Sequence, residues 1–328
     1  MGEVSHRFVE TDEDGVRLDR WFRRRWPQLS QAQIEKLARS GQIRVDGARA
    51  KAQTRLSAGA QVRVPPLPDA APAAPRQKLS PEEAAYARAL VLYEDDQVLA
   101  LDKPAGLAVQ GGTKTLRHVD RLLDAWGEGP NRPRLVHRLD RDTSGVLVLG
   151  KTPAAAARLA GAFARRRAQK TYWALVDGLP RPPQGVIDLP LAKRGFGDRE
   201  LMAPADPKDP KAEPALTEFA TVSRAGARVA WLALRPVTGR THQLRAHLLA
   251  IGHPILGDPK YHTAAAVELA GELKLQLHAR RIVLPHPAGG VLTLEAPLSP
   301  ELRAGFLRFG FEEAEAGAEP FGNRLSRR

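Results

Sequence analysis

The chain has 328 residues and no cysteine, with 50 Lys and Arg against 37 Asp and Glu and a formal net charge of +13. That length supports two domains with a sizeable core. The lack of thiols excludes disulfides, cysteine nucleophiles and Cys-ligated metal, and the charge favours a polyanionic partner, since each phosphate neutralised releases counterions. Residues 1–10 are polar with no apolar signal core, and no apolar run is long enough to span a bilayer. The expectation is a soluble, cytoplasmic protein with no membrane association.

Composition divides the chain at 12–65, 66–86, 87–311 and 312–328. In the first stretch Leu18, Trp21 and Phe22 recur at helical spacing. Ser30 followed by Gln33 reads as a capping box opening a second helix through Ile34 and Leu37, which Gly41 ends. Ile43 and Val45 then alternate with polar residues up to Asp46-Gly47, a hairpin signal, and a strand returns near residues 61–64. Arg23, Arg24, Arg25, Lys36, Arg39, Arg44, Arg49 and Lys51 fall on positions expected to be exposed. The second stretch is rich in Pro and Ala and reads as a linker. The third has apolar runs at 98–101, 145–149, 172–176 and 230–234, with one good helix over 153–167. Strands outnumber helices without regular alternation, which predicts an α+β fold with a mixed, mainly antiparallel central sheet. The last stretch has little apolar content and reads as a loosely held tail.

Residues Gly145-Val146-Leu147-Val148-Leu149-Gly150-Lys151-Thr152 match the phosphate-loop pattern literally. That loop needs an exposed turn whose backbone N–H groups wrap phosphate. Val-Leu-Val-Leu is itself a buried strand, so no nucleotide binding is expected. The preceding turn, 137–145, holds two arginines, two carboxylates and two hydroxyls. A carboxylate between cations stays ionised and can serve as nucleophile or base; a salt-bridged, hydroxyl-capped turn fits the same residues. A second dense stretch, 235–248, turns helical from Thr241 with Leu244 and Leu248 on one face. His242 and His247 are five apart, off the i, i+4 spacing of a helical zinc pair, so no metal site is expected.

The segments 137–145, 237–247 and 252–258 closely resemble the RluA-type pseudouridine synthases. Lys103-Pro104-Ala105-Gly106-Leu107 and Leu277-His278-Ala279 resemble further motifs of that family, in the family's order, over roughly two thirds of the chain. The 12–65 module resembles the S4 RNA-binding domain. Together they look most like the subgroup that modifies large-subunit (23S) ribosomal RNA, with transfer RNA as the alternative substrate.

The resemblance implies isomerisation of uridine to pseudouridine without cofactor, by a monomer. Asp140 aligns with the nucleophilic aspartate, Arg245 with the basic residue that pairs with it, and Tyr172 with the pocket tyrosine that stacks on uracil and is placed to take a proton. Arg138 aligns with the arginine that helps hold the target nucleotide out of the stack. The same motifs would set His137, Thr143, Arg240, His242 and Gln243 against the substrate. Lys36, Arg39, Arg44 and Lys51 of the front module would grip RNA phosphates. Many relatives carry His where this chain has Gln110, which removes acid–base chemistry from that loop. The implied geometry has Asp140 within salt-bridge reach of Arg245, facing Tyr172, with Asp142 serving the turn.

Overall fold

The computed structural model describes residues 4–26, 28–67, 78–111, 117–127, 129–196, 199–317 and 321. The chain divides into two units, Met1–Lys78 and Leu79–Arg328. The first contains β1 (Ser5–Phe8), α1 (Leu18–Arg25), α2 (Gln31–Arg39), β2 (Arg44–Val45), β3 (Ala48–Arg49) and β4 (Gln61–Val64), with its four strands in the order β1-β4-β2-β3. The capping box forms as the sequence predicts: Gln33 N donates to Ser30 Oγ, and Ser30 N donates to Gln33 Oε1. Asp46 and Gly47 have φ of 49° and 76°, the pair of left-handed residues that a two-residue hairpin turn requires. Leu18, Trp21, Phe22 and Ile34 of the helices bury against Ile43 and Val62.

One basic position departs from expectation. Arg25 is not a free surface charge: its guanidinium donates to both Glu13 oxygens, at 2.6 and 2.8 Å, and lies 4.1 Å from the Trp21 ring centroid. The Arg25 hydrogen bonds hold the Glu13 carboxyl at about 2, against the opposing effect of burial. The large indole of Trp21 supplies the surface that draws this arginine inward.

The second unit opens earlier than the linker reading allows. Residues 68–77 of that stretch lie outside the described residues, but 81–89 are folded. Ser80 and Glu83 form a capping box on α3 (Pro81–Ala89), with proline in the first turn, and Leu79, Tyr86 and Ala87 join the main core. The elements that follow are β5 (Val91–Glu94), β6 (Val98–Lys103), α4 (Val119–Leu122), β7 (Arg134–Leu135), β8 (Ser144–Gly150), α5 (Pro153–Ala164), β9 (Gln169–Asp177) and β10 (Gln184–Asp188). Next come β11 (Leu191–Phe196), β12 (Arg199–Pro204), β13 (Leu216–Ala225), β14 (Val229–Pro236), α6 (Gln243–Ala250), α7 (Ala264–Ala270), β15 (Leu277–Pro285), β16 (Val291–Glu295) and α8 (Pro300–Phe309). The central sheet runs β10-β13-β14-β9-β15-β8-β6-β5, with β16 on β15 and β7 on β8. The β8–β15 pair is parallel and the other described pairs of this sheet are antiparallel. The fold is α+β with a mixed sheet.

Strand periodicity gives this sheet two buried faces. Leu147 and Leu149 of β8 enter one core, together with Tyr172, Ala174 and Val176 of β9. Val146 and Val148 face the opposite side, as do Trp173 and Leu175 in a separate cluster. There α8 packs: Trp231 lies edge-on to Trp173 and to Phe306, at centroid separations of 4.7 and 4.6 Å. With that face closed by α8, the Tyr172 face is the one left to line a cleft. The tail reading needs correction: Phe321 is buried in the same aromatic cluster beneath the Arg235 guanidinium, Glu313 pairs with Arg280, and Glu315 accepts from Ser223 Oγ. Among the described residues no helix is long and apolar enough to cross a membrane.

Candidate active site

The phosphate-loop match dissolves on folding. Residues 145–150 are the buried strand β8, Lys151 pairs with Glu94 at 2.8 Å, and Thr152 caps α5 through Ala155 N. Gly150 is there for close approach: a Cβ would lie 2.5 Å from the Ala156 backbone.

Gly145 decides where the 137–144 turn sits. It has φ +110°, and a Cβ would fall 2.3 Å from Ala279 O on the parallel partner strand. Any side chain would force β8 and β15 apart. Gly145→Ala is expected to lower stability by about 2–4 kcal/mol and to impair activity by displacing the turn; chemical denaturation and an activity assay check both.

The turn is fixed from beneath by Lys103, a fully buried lysine whose ammonium donates to Pro104 O, Leu107 O and Arg141 O, each at 2.9 Å. Burial pulls it down to about 8, with the charges of Asp142 and then Asp140 acting the other way. Three carbonyls match three ammonium donors, the condition under which a buried cation is tolerated. Gly106 N donates to Arg141 O, and Arg141 Nε donates back to Gly106 O. The 103–107 and 137–144 segments are thus one unit.

This unit presents Asp140 to a cleft of about 710 Å³. Every catalytic and substrate-contacting residue anticipated from the sequence lines it: Asp140, Tyr172 and Arg245, and also Arg138, His137, Thr143, Arg240, His242 and Gln243. Asp142 does not. Asp140 is the one carboxylate on the cleft wall among the described residues, and the same wall carries six Arg and Lys residues. It is half-buried and makes no side-chain hydrogen bond or ion pair among them. Its charge is nevertheless felt at Tyr172, His242, Arg245 and Tyr261. Burial, reinforced by Asp140, pushes the Tyr172 hydroxyl well above the ordinary phenol range. In the resting site Tyr172 therefore keeps its proton.

The largest departure concerns Arg245. Its Nε and Nη2 donate to Asp258 at 2.7 and 2.6 Å, a bidentate pair with both partners buried. Asp258 also accepts from Lys260 N and Tyr261 N. The direct contact with Asp140 is thus replaced by an influence at longer range. The physical reason is burial: a guanidinium 1% exposed needs a partner with matching geometry. The 252–258 motif supplies one through the tight turn at Gly257, where φ is +70° and a Cβ would meet Leu273 O and Lys274 O at 2.4 and 2.3 Å. The sequence marks that motif but gives Asp258 no task. Arg245 also lies over the Tyr261 ring, whose hydroxyl is hydrogen-bonded to His242 Nδ1 at 2.9 Å.

Other anticipated residues hold the site together. Gln243 is fully engaged within the protein: its Oε1 accepts from Thr238 Oγ1 and Arg240 N, and its Nε2 donates to Leu216 O and Thr217 Oγ1. His137 Nε2 accepts from Val148 N, extending the β7 edge, and its ring stacks on Phe163 at 4.3 Å. Burial brings His137 down to about 3. Arg240 pairs with Glu213. Arg138 is exposed on the rim with no side-chain partner among the described residues, and Thr143 Oγ1 is buried without one. His247 is held by Thr217 Oγ1 and Leu189 O. Gln110 is exposed; Gly112, in the same loop, lies outside the described residues.

Buried His278 is hydrogen-bonded to Ser144 Oγ at 2.9 Å, tying the end of the turn to β15. Burial lowers it from 6.5 to about 4. Between those values the unfolded chain binds a proton that the folded one refuses, so stability falls as pH drops from 6.5 toward 4. The expected loss from His278 alone is about 3 kcal/mol, and His137 adds to it in the same direction. Urea unfolding across that range should show it, and His278→Gln should flatten the slope.

A family model described as RNA pseudouridylate synthase matches residues 97–250. Over 305 residues the chain is 35% identical to a ribosomal large subunit pseudouridine synthase C of Vibrio cholerae, spanning 90% of this chain and 94% of that protein. It is 34% identical over 308 residues to the Escherichia coli K12 protein of the same name, with 90% and 93% covered. The solved structure of human RNA Pseudouridylate Synthase Domain Containing 4 superposes with a TM-score of 0.58 at 27% identity, covering 70% of this chain and 98% of that one. The fold, the cleft and these likenesses define an isomerase acting on RNA, and the chain belongs to the RluA-type family of RNA pseudouridine synthases.

Proposed function

We propose that the chain converts uridine in large-subunit ribosomal RNA to pseudouridine in the cytoplasm, with Asp140 as the nucleophile. The observation that carries this reading is the Asp140 carboxylate, alone on the cleft wall and without a side-chain partner among the described residues, with its charge acting on Arg245. In the reaction the N1–C1′ bond breaks, a C5–C1′ bond forms, the C5 proton leaves to solvent and N1 takes one up, so no atoms are gained or lost. The Asp140 carboxylate attacks the nucleotide and departs when the new bond closes. Tyr172 offers a ring for the extruded uracil and a donor hydroxyl. Arg245, held by Asp258, fixes positive charge beside the reacting carboxylate, and Arg138 on the rim fills the gap left in the RNA stack. Full-length relatives named for the large ribosomal subunit support the substrate class. The test is tritium release from an unmodified large-subunit rRNA transcript labelled at uridine C5. Stoichiometric release is expected; none from this RNA, with release from transfer RNA, would move the substrate there.

The unit at Met1–Lys78 acts in this reading as an S4-like RNA grip. Lys36, Arg39 and Lys51 are exposed and unpaired among the described residues, while Arg44 also braces the hairpin by donating to Gly47 O. Removing residues 1–65 is expected to weaken RNA binding and to flatten its salt dependence, by about 0.7–0.9 in log–log slope for each phosphate that the unit neutralises. Filter binding across a salt series checks it.

A further inference from the structure

Two cations on the cleft wall have no task so far. Lys170 precedes Tyr172 by two residues on β9, so both side chains leave the same face of the strand. Its ammonium reaches toward the 236–240 loop: a Cβ on Gly239 would lie 3.9 Å from Lys170 Nζ. Lys170 is half-buried, yet its side chain makes no hydrogen bond or ion pair among the described residues. Burial alone draws its pKa down, with no carboxylate acting in return. A partly dehydrated ammonium without an acceptor is unfavourable until an anion arrives.

The second is Arg166. Helix α5 ends in a Schellman motif, with Arg167 N donating to Ala162 O at 2.8 Å and Arg166 N to Phe163 O at 3.1 Å. The residue at the left-handed position of that motif is normally glycine. Here it is Arg166, at φ 56°. The chain keeps a side chain where glycine would be unstrained, and that side chain lines the cleft with no partner among the described residues. Strain retained at a cleft edge points to use.

We propose that Arg166 and Lys170 form a phosphate clamp on the α5–β9 side of the cleft, gripping backbone phosphodiesters of the RNA strand that flank the target uridine. The proposal rests on the reading of the cleft as the uridine site. Lys170 stands on the strand that carries the stacking ring, so an RNA whose base meets Tyr172 brings its backbone to this edge. Arg166 extends the grip by one short connection. Neither group touches the reacting atoms; they position the strand.

The test uses the full chain with Arg166→Gly, Lys170→Met and the double variant. Glycine suits the left-handed position, so Arg166→Gly should melt at or above the wild-type temperature, which removes misfolding as an explanation. On poly(U) and poly(A) alike, the double variant should bind about tenfold more weakly near 0.1 M salt, with the log–log salt slope reduced by about 1.5. Lys170→Arg should restore most of the Lys170 contribution. On the labelled ribosomal transcript KM should rise about tenfold while kcat stays within about twofold. An unchanged salt slope would overturn the clamp. A loss confined to poly(U) would also overturn it, and would mean that Lys170 reads uracil. If the wild type releases no tritium from the ribosomal transcript, the substrate assignment fails, while the homopolymer slopes still decide the clamp.

Discussion

Asp140→Asn is expected to melt with the wild type and to lose pseudouridine formation by at least about 10⁴-fold in kcat, the scale seen when a nucleophile is removed from a preorganised site. Both halves follow from the structure. The Asp140 side chain makes no hydrogen bond or ion pair among the described residues, so the amide disturbs nothing that holds the turn. The turn itself hangs on Lys103 and the backbone of residues 106 and 141. As the lone carboxylate on the cleft wall among the described residues, Asp140 has no neighbour to replace it. Single-turnover tritium release and a melting curve on the same preparation read the two effects. Asp142→Asn is the contrast: Asp142 lies off the cleft wall and acts on Lys103, so chemistry should survive.

Asp258→Asn is expected to lower stability by about 3–5 kcal/mol, because it removes the charge that Arg245 is buried against. Arg245→Met alone leaves a buried carboxylate and should cost a similar amount. The informative protein is the double variant, Arg245→Met with Asp258→Asn. Both charges are removed with side-chain volume nearly kept, and the Asn oxygen still accepts from Lys260 N and Tyr261 N, so most of the stability lost in either single variant should return. Activity should not return, because the positive charge beside Asp140 is gone. Urea unfolding and kcat measured across the four proteins separate the structural role of the pair from its role in the reaction. If activity followed stability back, Arg245 would be scaffolding only.

Much of this architecture is written locally. The Ser30–Gln33 box, the Asp46-Gly47 turn and the Val-Leu-Val-Leu strand each need only neighbours in sequence to form, and each folds as its pattern dictates. The placement of Asp140 and Arg245 on one cleft is legible through motif order. The partner of Arg245 was not, because two motifs that fall in sequence order say nothing of which side chains meet once both are buried. Burial decides it: Arg245 takes the carboxylate whose own backbone environment, Lys260 N and Tyr261 N, completes its shell. Arg25 and Phe321 escaped for a related reason. A charged or tail residue is read as exposed until a large aromatic surface elsewhere in the chain draws it in. Gln243 looked like a substrate contact because it sits in a dense polar motif, yet all its hydrogen-bonding capacity closes the turn that follows β14. The α3 helix was hidden by the Pro and Ala of the segment before it, although Ser80-Pro81 with Glu83 is a helix start by the same rule that located α2.

The central claim is that this cleft isomerises uridine in ribosomal RNA through Asp140. The most direct measurement is pseudouridine mapping across the total RNA of a strain lacking the gene, complemented with the wild type or with Asp140→Asn. The account predicts one or a few large-subunit positions that stay uridine in the deletion, return to pseudouridine with the wild type and stay uridine with Asp140→Asn. Restoration by Asp140→Asn, or a map identical with and without the gene, would contradict it.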